Sequence, residues 1–400
     1  MKILIVNAGS SSLKYQLIDM NDESTIAKGL VERIGIEGSK LTHKAHGQVF
    51  TLETPMKNHV EATQHMLDAL TDKEHGVVKS MDEIGAVGHR VLHGGPNFTK
   101  SVIVTKEVED AIEENIPLGP LHNPANLMGI RACRKVMPKT PMVAVFDTAF
   151  HMTMPPKAYR YGVPKDYYTR LKVRRYGFHG TSHRYVSARA AEFLGKKPEE
   201  LRIITCHLGN GSSIAAVDHG KCVDTSMGIT PLEGLLMGTR CGSMDPAVVQ
   251  YICNQDHIDV NQMLEICNKK SGLLGVSGIS SDMRDVTTAA DKGNEDAIIA
   301  RDMLIEGVRK YIGAYTAVMH GVDAIVFTAG IGENDVRLRE KMMEGFEYMG
   351  AMMDKKKNAT VFGKEADITA EGSKVRILVI PTNEELAIAR DTLRLVTENA

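Results

Sequence analysis

The alternation of apolar and polar residues follows the same order in the two halves of this 400-residue chain. Near the start, an apolar run at residues 3–6 leads into a turn of small and polar residues at 7–12, after which alternation resumes. Residues 203–218 repeat that order around the turn His-Leu-Gly-Asn-Gly-Ser-Ser. A strand, a glycine-containing turn and a second strand are typical of a β-hairpin. The repeat therefore predicts two related domains, each of which opens with a hairpin.

Helical and strand patterns alternate after each hairpin. In the first half they predict a strand within 25–34, helices at 59–70, 106–115 and 123–137, and strands at 84–92 and 142–146. In the second half they predict helices beginning near residues 245, 260 and 294, buried strands at 324–327 and 375–380, and a last helix from about residue 384. Asn123, followed by Pro124, is the expected N-cap of its helix. This alternation predicts an α/β fold of two duplicated domains, each with a mixed β-sheet flanked by helices.

The length of the chain also favours two domains, because a single hydrophobic core rarely organises 400 residues. We place the first domain at residues 1–150 and the second at 151–384, with a C-terminal helix, 385–400, packing back on the first. In α/β sheets, ligands bind beyond the carboxyl ends of the strands. The active site is therefore expected in the cleft between the two domains.

Composition and charge exclude some classes of partner. The net charge is −2 and the pI about 6.7, which argues against general binding to nucleic acids or membrane surfaces. No apolar run is long enough for a membrane span, and Met1-Lys2 leads directly into a strand pattern without a signal sequence. The six cysteines have no CxxC or zinc-like spacing. We expect a cytoplasmic protein with reduced thiols.

The two hairpin turns contain the small residues and free backbone N–H groups that suit an oxyanion. Lys14 follows Ser12 by two residues and lies on the same strand face, so it could reach a phosphate. A plain hairpin with a solvated lysine is the alternative, but the recurrence of the turn in the second half favours a phosphate site. The chain has neither GxxxxGK[ST] nor GxGxxG, so a P-loop kinase and a nicotinamide enzyme are disfavoured.

Two arginines, Arg90 and Arg240, each stand close to glycines. The planar guanidinium binds a carboxylate or a phosphate through two bonds. A surface ion pair is the alternative for any single arginine, but glycines offer little side-chain packing that would explain these positions. Two histidines, His179 and His183, surround the start of a helix that Ser182 is expected to cap. A helix N-terminus attracts anions, so at least one of the histidines is expected to be functional.

Carboxylate and amide oxygens follow several predicted strands. Asp147 comes directly after the buried strand 142–146, and Asn7 and Glu384 also stand at strand ends. Mg²⁺ prefers a few such oxygens together with water. The alternatives are helix N-capping for Asp147 and a favourable first-turn position for Glu384. Residues 330–334, after another buried strand, would allow close approach of a flat ligand such as adenine, or would form a strand-to-helix turn with Asn334 as N-cap.

Taken together, these motifs resemble those of the acetate kinase family. The resemblance is carried by residues 7–14, 146–151 and 381–386, and it extends over essentially the whole chain. The family belongs to the superfamily of actin, sugar kinases and heat-shock chaperones, with an actin-like, ribonuclease-H-like fold. The resemblance implies reversible, Mg²⁺-dependent, in-line transfer of the γ-phosphoryl group of ATP to acetate, which yields acetyl phosphate and ADP. It also implies a homodimer, with Mn²⁺ as an alternative metal.

The resemblance further implies roles for individual residues. Asp147, His179 and Arg240 match the catalytic residues, Arg90 matches an acetate clamp, and Asn7 and Glu384 match the metal positions. The pocket for the acetate methyl group matches Leu92, Leu121, Phe178 and Pro231. The nucleotide site matches Lys14, His207, Leu208, Gly209, Asn210, Gly211, Asp282, Met283, Arg284, Gly330, Ile331, Gly332, Glu333 and Asn334.

Two physical arguments refine these implied roles. Acetate is ionised at neutral pH, because unperturbed carboxyl groups titrate near ~4. An anionic nucleophile needs no general base, so Asp147 is expected to hold the metal or an arginine. Leu92 stands where the family commonly has Val, which narrows the pocket and favours acetate over propionate. A propionate or butyrate kinase is the alternative, and a nucleotide-switched chaperone or filament module on the same fold is a distant one.

Overall fold

A computed structural model of the protein describes residues 1–399 and divides the chain into two compact units. Unit 1 comprises Met1–Phe150 and the C-terminal segment from Asn383, and unit 2 comprises His151–Thr382. Residues 383 and 384, which the sequence analysis placed with the second domain, belong to unit 1.

Unit 1 is built on one eight-stranded mixed sheet. Its strands are β1 (Lys2–Ala8), β2 (Ser12–Asp19), β3 (Ser24–Glu32), β4 (Lys40–Ala45), β5 (Gln48–Glu53), β6 (Ile84–Val91), β7 (Val102–Ile103) and β8 (Met142–Phe146). They lie in the order β5-β4-β3-β2-β1-β6-β8-β7, with β1 antiparallel to β2 and parallel to β6, and β6 parallel to β8. Three helices lie between the strands along the chain. Helix α1 (His59–Thr71) follows β5, and α2 (Lys106–Glu114) and α3 (Asn123–Val136) lie between β7 and β8.

Unit 2 is built on a six-stranded sheet. Its strands are β9 (Arg202–Leu208), β10 (Ser212–Asp218), β11 (Lys221–Thr225), β12 (Ala324–Thr328), β13 (Ala366–Asp367) and β14 (Arg376–Val379), in the order β11-β10-β9-β12-β14-β13. Its helices are α4 (Pro156–Tyr159), α5 (Lys165–Leu171), α6 (Gly180–Phe193), α7 (Pro246–Asp256), α8 (Val260–Lys269), α9 (Gly272–Ser277), α10 (Met283–Asp291), α11 (Glu295–Val318), α12 (Ala329–Asn334), α13 (Val336–Met343) and α14 (Lys355–Asn358).

The C-terminal helix, α15 (Glu384–Glu398), packs against β1, β6 and β8 of unit 1. The β1 strand is therefore buried on both faces, which explains its continuous apolar run. Leu4 and Val6 join the core that includes α1 and α3, whereas Ile3 and Ile5 pack in a second core with Ile388 of α15. Short 3₁₀ helices occupy Met81–Glu83, Ile116–Leu118, Ala149–Thr153, Pro198–Glu200 and Glu347–Met349.

The two sheets contain the same five-stranded arrangement, which confirms the predicted duplication. In unit 1 the order is β3-β2-β1-β6-β8, and in unit 2 it is β11-β10-β9-β12-β14. In both, an antiparallel hairpin leads into two further strands that run parallel to its first strand. The predicted α/β class, with mixed sheets flanked by helices, is thus confirmed.

Two predicted helix caps are wrong. Asn123 is the first residue of α3 rather than its N-cap, because its fully buried side chain bonds both the N–H and the carbonyl of His93. Ser182 lies inside α6, which has His179 at its N-cap, and its hydroxyl bonds His207 and Thr382. Long-range polar contacts, which local sequence does not reveal, hold both side chains.

Residues 330–334 are helical, as part of α12, rather than a turn. Asn334 is the last residue of this helix and donates from its side chain to the carbonyl of Gly330. The N-cap of the following helix, α13, is Asp335. The alternative prediction of Asn334 as an N-cap is therefore also wrong.

Candidate active site

The carboxyl ends of three neighbouring parallel strands bring polar side chains together at one edge of the unit 1 sheet. Asn7 and Arg90 are the last residues but one of β1 and β6, and Asp147 follows β8 directly. The first residue of α15, Glu384, reaches the same edge, because it lies 3.8 Å from the Arg90 guanidinium. The fold therefore brings together at one edge of the sheet four side chains that the sequence analysis had placed at strand ends or singled out nearby: Asn7, Arg90, Asp147 and Glu384.

Arg90 and Asp147 form a bidentate ion pair. Arg90 donates from Nε to Asp147 Oδ1 at 2.9 Å and from Nη2 to Oδ2 at 2.6 Å. The Asp147 side chain is only 1% exposed, whereas that of Arg90 is 22% exposed. Asp147 thus holds an arginine, which was one of its two expected roles. No protein acceptor within residues 1–399 is bonded to Arg90 Nη1.

Charges at this edge are strongly coupled. Burial opposes the charge on Arg90, but Asp147 and Glu384 outweigh it and raise the pKa of Arg90. Burial also raises the pKa of Glu384, as does the nearby charge of Asp147, against the opposite effect of Arg90 and Lys14. Lys14 is exposed and lies opposite Asn7 in the β1–β2 ladder. A cation brought to this edge would relieve the repulsion between the two carboxylates.

Two asparagines of α3 hold the segment that follows β6. Asn126 accepts from the N–H of Leu92 and donates to the carbonyl of Ala8, while Asn123 bonds the backbone of His93. Leu92 is buried next to this clamp. Leu121, the other predicted pocket residue of unit 1, is 52% exposed.

In unit 2, His179 precedes α6 in a left-handed backbone conformation, with φ 57°. Its Nδ1 lies 2.8 Å from the hydroxyl of Ser213, and its ring stacks on His207 at 4.1 Å between centroids. His183, one turn later in α6, bonds the same hydroxyl through Nε2 and Thr205 through Nδ1. Burial lowers the pKa of His183 far below its ordinary value, so this ring is neutral at neutral pH.

Arg240 differs from Arg90 in having no acidic partner. Its Nη1 donates to the carbonyl of Pro231 at 3.1 Å, and no carboxylate within residues 1–399 forms an ion pair with it. Burial therefore lowers its pKa, with no opposing charge. A methyl group built on Gly211 would lie 3.5 Å from both Arg240 Nη1 and the His179 ring. The second turn thus has two nitrogen-bearing side chains facing its glycine.

A cavity of about 680 Å³ lies next to this turn in unit 2. Such a volume is in the range of small-molecule sites. Eight predicted nucleotide residues line it: Gly209, Asn210, Asp282, Met283, Arg284, Gly330, Ile331 and Asn334. Five lining residues were not predicted: Ser281, Asp335, Val336, Arg337 and Phe362.

The other predicted nucleotide residues of unit 2 lie around the cavity rather than on its wall. Leu208 is fully buried in the hydrophobic core, and the Gly332 carbonyl accepts from Arg339. Glu333 accepts the N–H groups of Ala329 and Thr382 through one carboxylate oxygen. Phe178, which was predicted for the acetate methyl pocket, is fully buried, and its carbonyl accepts from His151.

Comparison with known proteins identifies the family of the chain. The profile of the Acetokinase family matches residues 2–390. An acetate kinase of Treponema denticola is 58% identical over 99% of this chain and 100% of its own length. The chain belongs to the acetokinase family. Among solved structures, the acetate kinase of Porphyromonas gingivalis has a TM-score of 0.95 at 49% identity, covering 99% of both chains. A propionate kinase of Francisella tularensis has a TM-score of 0.92 at 40% identity, covering 98% of this chain and 99% of its own.

The sequence analysis did not predict Ser213, Thr205 and Asn126, which orient the site of this acetokinase family member. Ser and Thr in strands and Asn in helices give no local signal of such a role, since their partners are distant in sequence. Phe362 and Arg337 were missed for the same reason.

Within residues 1–399, no cluster of three or more His, Cys, Asp or Glu side chains has metal-binding geometry. Nor is any helix of that range long and apolar enough to cross a membrane.

Proposed function

We propose that the chain catalyses reversible transfer of the γ-phosphoryl group of ATP to acetate, giving acetyl phosphate and ADP. Family membership supports a phosphotransferase with a carboxyl acceptor. The observation that carries the proposal is Arg240, a partly buried guanidinium without a counter-ion that faces the Gly211 turn together with His179. Transfer between two anions requires such uncompensated positive charge, because acetate and the phosphoryl group repel each other.

In this proposal, Arg240 and His179 stabilise the charge that spreads over the phosphoryl oxygens in the transition state. Arg240 needs no reorientation, because its Nη1 is already held by the Pro231 carbonyl. His179 is held through Nδ1 by Ser213, which fixes the orientation of its ring beside the Gly211 turn. The carboxylate of acetate attacks phosphorus directly as ADP leaves, and no protein group moves a proton.

Arg90 is proposed to bind the acetate carboxylate through Nη1. Asp147 fixes the plane of its guanidinium through the other two donors. This arrangement gives Asp147 a positioning role and Arg90 the contact with the substrate. Leu92 is buried and follows Arg90 by two residues. We propose that it contacts the methyl group of acetate together with the other predicted pocket residues, Leu121, Phe178 and Pro231.

The unit 1 edge also suits Mg²⁺. Both carboxylate oxygens of Asp147 accept hydrogen bonds from Arg90, so Glu384 and Asn7 are the residues that would hold the ion. The Asn7 side chain makes no hydrogen bond to protein within residues 1–399. Mg²⁺ is usually held by one or two carboxylates, water and substrate phosphates, so the lack of a larger acidic cluster is compatible with it. When bound, the ion would neutralise phosphate charge. Mn²⁺ has similar oxygen preferences and is expected to substitute.

The nucleotide is proposed to bind in the 680 Å³ cavity of unit 2. Its walls contain glycines, which allow close backbone approach to a flat base, and apolar side chains from Ile331 and Phe362. The turn at residues 207–211 and Lys14 of unit 1 are proposed to contact the phosphates. Asp282 and Arg284, which form an exposed ion pair, offer polar contacts at the cavity wall.

A hydroxamate assay tests the proposal, because hydroxylamine traps acyl phosphates. The purified protein with ATP and Mg²⁺ is expected to form acetyl hydroxamate from acetate, and ATP from acetyl phosphate and ADP. The absence of both reactions, with ATP binding intact, would overturn the proposed function.

Propionate is the second candidate substrate, because a propionate kinase is 40% identical with a TM-score of 0.92. One methylene changes binding in an apolar pocket by only ~1–3 kcal/mol. The same assay run across acetate, propionate and butyrate therefore decides the acyl preference through the ratio of kcat/KM values. We expect acetate to be preferred.

We also propose that two copies of the chain form a homodimer. In unit 2, α7 and α8 pack together and expose apolar side chains: Tyr251 is 67% exposed and Val260 53%. Leu264 and Val248 add to this exposed face. An apolar face of this kind is characteristic of an interface between copies.

A further inference from the structure

Arg339, in α13, is the largest fully buried side chain of the described chain. Its guanidinium has no ion-pair partner within residues 1–399. Burial lowers the pKa of Arg339 to about 10, so the group remains charged at neutral pH. A buried charge is costly unless its donors are satisfied. The hydrogen bonds of this side chain therefore indicate what it holds in place.

The guanidinium connects three segments of unit 2. It donates from Nη1 to the carbonyl of Gly332 at 2.9 Å, from Nε to Asn358 Oδ1 at 2.8 Å, and from Nη2 to the carbonyl of Val361 at 2.8 Å. Gly332 belongs to α12, Asn358 ends α14, and Val361 follows it. One planar side chain thus ties α12 and α13 to the segment after α14.

Each of these segments contributes to the wall of the 680 Å³ cavity. Gly330, Ile331 and Asn334 come from α12, and Val336 and Arg337 from α13. Phe362 comes from the segment after α14 and directly follows Val361. Arg339 itself does not line the cavity. It stands behind the wall and joins its parts.

Phe362 in particular depends on this arrangement. Its residue is 56% exposed, so packing in a core does not hold the ring. Its two neighbours are held instead, because the carbonyl of Val361 accepts from Arg339 and the N–H of Gly363 donates to the carbonyl of Glu333. Asn358 adds a bond from its side chain to the carbonyl of Val336. The position of the aromatic ring at the cavity wall is therefore set by contacts of its neighbours, one of which is made by the Arg339 guanidinium.

We infer that Arg339 is a positioning residue for nucleotide binding, which sets the separation between the Ile331 and Phe362 sides of the cavity. The inference rests on the proposed function, which assigns this cavity to ATP and ADP. A lysine cannot replace the side chain fully, because a single ammonium lacks the planar fork that reaches three acceptors at once. Loss of the guanidinium should weaken nucleotide binding and leave acetate binding unchanged.

The test compares Arg339→Met and Arg339→Lys with Arg174→Met. Arg174 is a matched control because it is also a buried arginine of unit 2, but it packs on Tyr159 and Tyr176, neither of which lines the cavity. KM for ATP, KM for acetate, kcat and the midpoint of thermal unfolding are measured for each variant. Binding of a fluorescent ADP analogue gives the nucleotide affinity independently of turnover.

In Arg339→Met, KM for ATP and the Kd of the ADP analogue are expected to rise about tenfold, with KM for acetate within about twofold of wild type. For Arg339→Lys, KM for ATP and the Kd of the ADP analogue should lie between the values of wild type and those of Arg339→Met. Arg174→Met should lose thermal stability without a selective change in KM for ATP. A further variant, Arg339→Ala, should show a similarly raised KM for ATP, which millimolar guanidinium should lower because the ion refills the deleted site. Guanidinium should have no effect on Arg174→Met.

Equal rises in both KM values, or an unchanged Kd for the analogue in a folded Arg339→Lys variant, would overturn the inference. Neither result would contradict the proposed function, which is tested by acetyl phosphate formation in the wild-type protein. A wild-type protein that binds the ADP analogue but forms no acyl phosphate would overturn the proposed function instead.

Discussion

At the scale of single residues, the two arginines that look alike in sequence have opposite electrostatic surroundings. Asp147 and Glu384 stabilise the charge on Arg90, whereas no carboxylate in the described part of the chain does so for Arg240. An arginine already paired with a carboxylate is suited to orienting a ligand, and one without a counter-ion is suited to stabilising charge that develops during reaction.

This difference predicts distinct kinetic effects of the two alanine variants. Arg240→Ala should lower kcat by about 10³ or more, in line with transition-state arginines of other phosphoryl transfer enzymes. Arg90→Ala should mainly raise KM for acetate. Steady-state constants for acetate and ATP measure both effects. A larger fall of kcat in Arg90→Ala than in Arg240→Ala would contradict the assigned roles.

Asp147→Asn should lower kcat/KM for acetate by about 30-fold or more, because removal of one partner of a buried charged pair costs ~2–5 kcal/mol. The amide keeps the size of the carboxylate but offers only one acceptor to Arg90. Glu23→Gln is the matched control, since Glu23 makes a bidentate pair with Arg390 in the same unit that is solvent-exposed. Full activity of Asp147→Asn would rule out a positioning role.

The burial of His89 leads us to expect that the stability of the folded protein depends on pH. It is buried, its Nε2 has no hydrogen-bond partner within residues 1–399, and burial lowers its pKa to about 3. The unfolded chain has an ordinary histidine pKa of ~6.5, so protons bind the unfolded state first as the pH falls. Stability is therefore retained above pH ~6.5 and lost below it, by about 2 kcal/mol at pH 5.

Urea unfolding of wild type and His89→Leu at pH 7 and pH 5 measures this effect. The leucine variant has no titrating group at this position, so its stability should fall by about 2 kcal/mol less between the two pH values. The same pH dependence in both proteins would show that His89 is not responsible.

At the scale of elements, a turn and a helix start combine to form the proposed phosphoryl site. The β9–β10 turn exposes Gly211 to Arg240 and His179, and the first turns of α6 bring His183 beneath Ser213. The left-handed backbone of His179 aims its ring at the turn instead of along the helix. Each element is ordinary by itself, and the chemistry arises from their juxtaposition.

Gly211→Ala tests the space over this turn. An alanine methyl would meet Arg240 and His179 at ordinary contact distance, 3.5 Å, and the backbone has no positive φ there. The fold should therefore be unaffected or stabilised by about 0.4–1 kcal/mol, while kcat falls because the methyl fills the space that the phosphoryl group needs.

Gly313→Ala in α11 is the control, because its methyl would have no neighbour within 4 Å. It should be stabilising by a similar amount and leave kcat unchanged. Wild-type kcat in Gly211→Ala would mean that the phosphoryl group does not occupy this space.

At the scale of the whole molecule, the duplicated core has diverged into two kinds of site. The unit 1 edge contains coupled carboxylates and a paired arginine, whereas unit 2 has histidines, hydroxyls and an arginine without a counter-ion. The same strand order thus supports the proposed acetate and Mg²⁺ site in unit 1 and the proposed phosphoryl site in unit 2.

The proposed homodimer predicts that a charge on the exposed α7–α8 face breaks the assembly. Tyr251→Glu should shift the sedimentation coefficient towards that of a monomer, because a carboxylate would be desolvated in an apolar interface. Phe362→Glu, at an exposed aromatic residue of the nucleotide cavity, is the control and should leave the oligomeric state unchanged. A wild-type monomer at all concentrations would exclude the proposal.

The sequence by itself determined the α/β class, the duplication and most element positions. The apolar runs of β1, β8 and β12 are local signals, and the structure confirms these strands and the helices predicted to begin near residues 245, 260 and 294. The β4–β5 hairpin was missed, although its strands alternate around His46-Gly47, both of which have positive φ. That turn is the short-range signal that would have revealed it.

Only the tertiary structure decided which of the candidate side chains work together. Asp147 and Arg90 are 57 residues apart, and Ser213 lies 34 residues from His179. Arg339, in an ordinary amphipathic helix, gave no signal of its role behind the nucleotide cavity. Local sequence governs backbone preferences and burial patterns, whereas the pairing of a charge with its partner depends on which strand ends and loops the fold brings within hydrogen-bond distance.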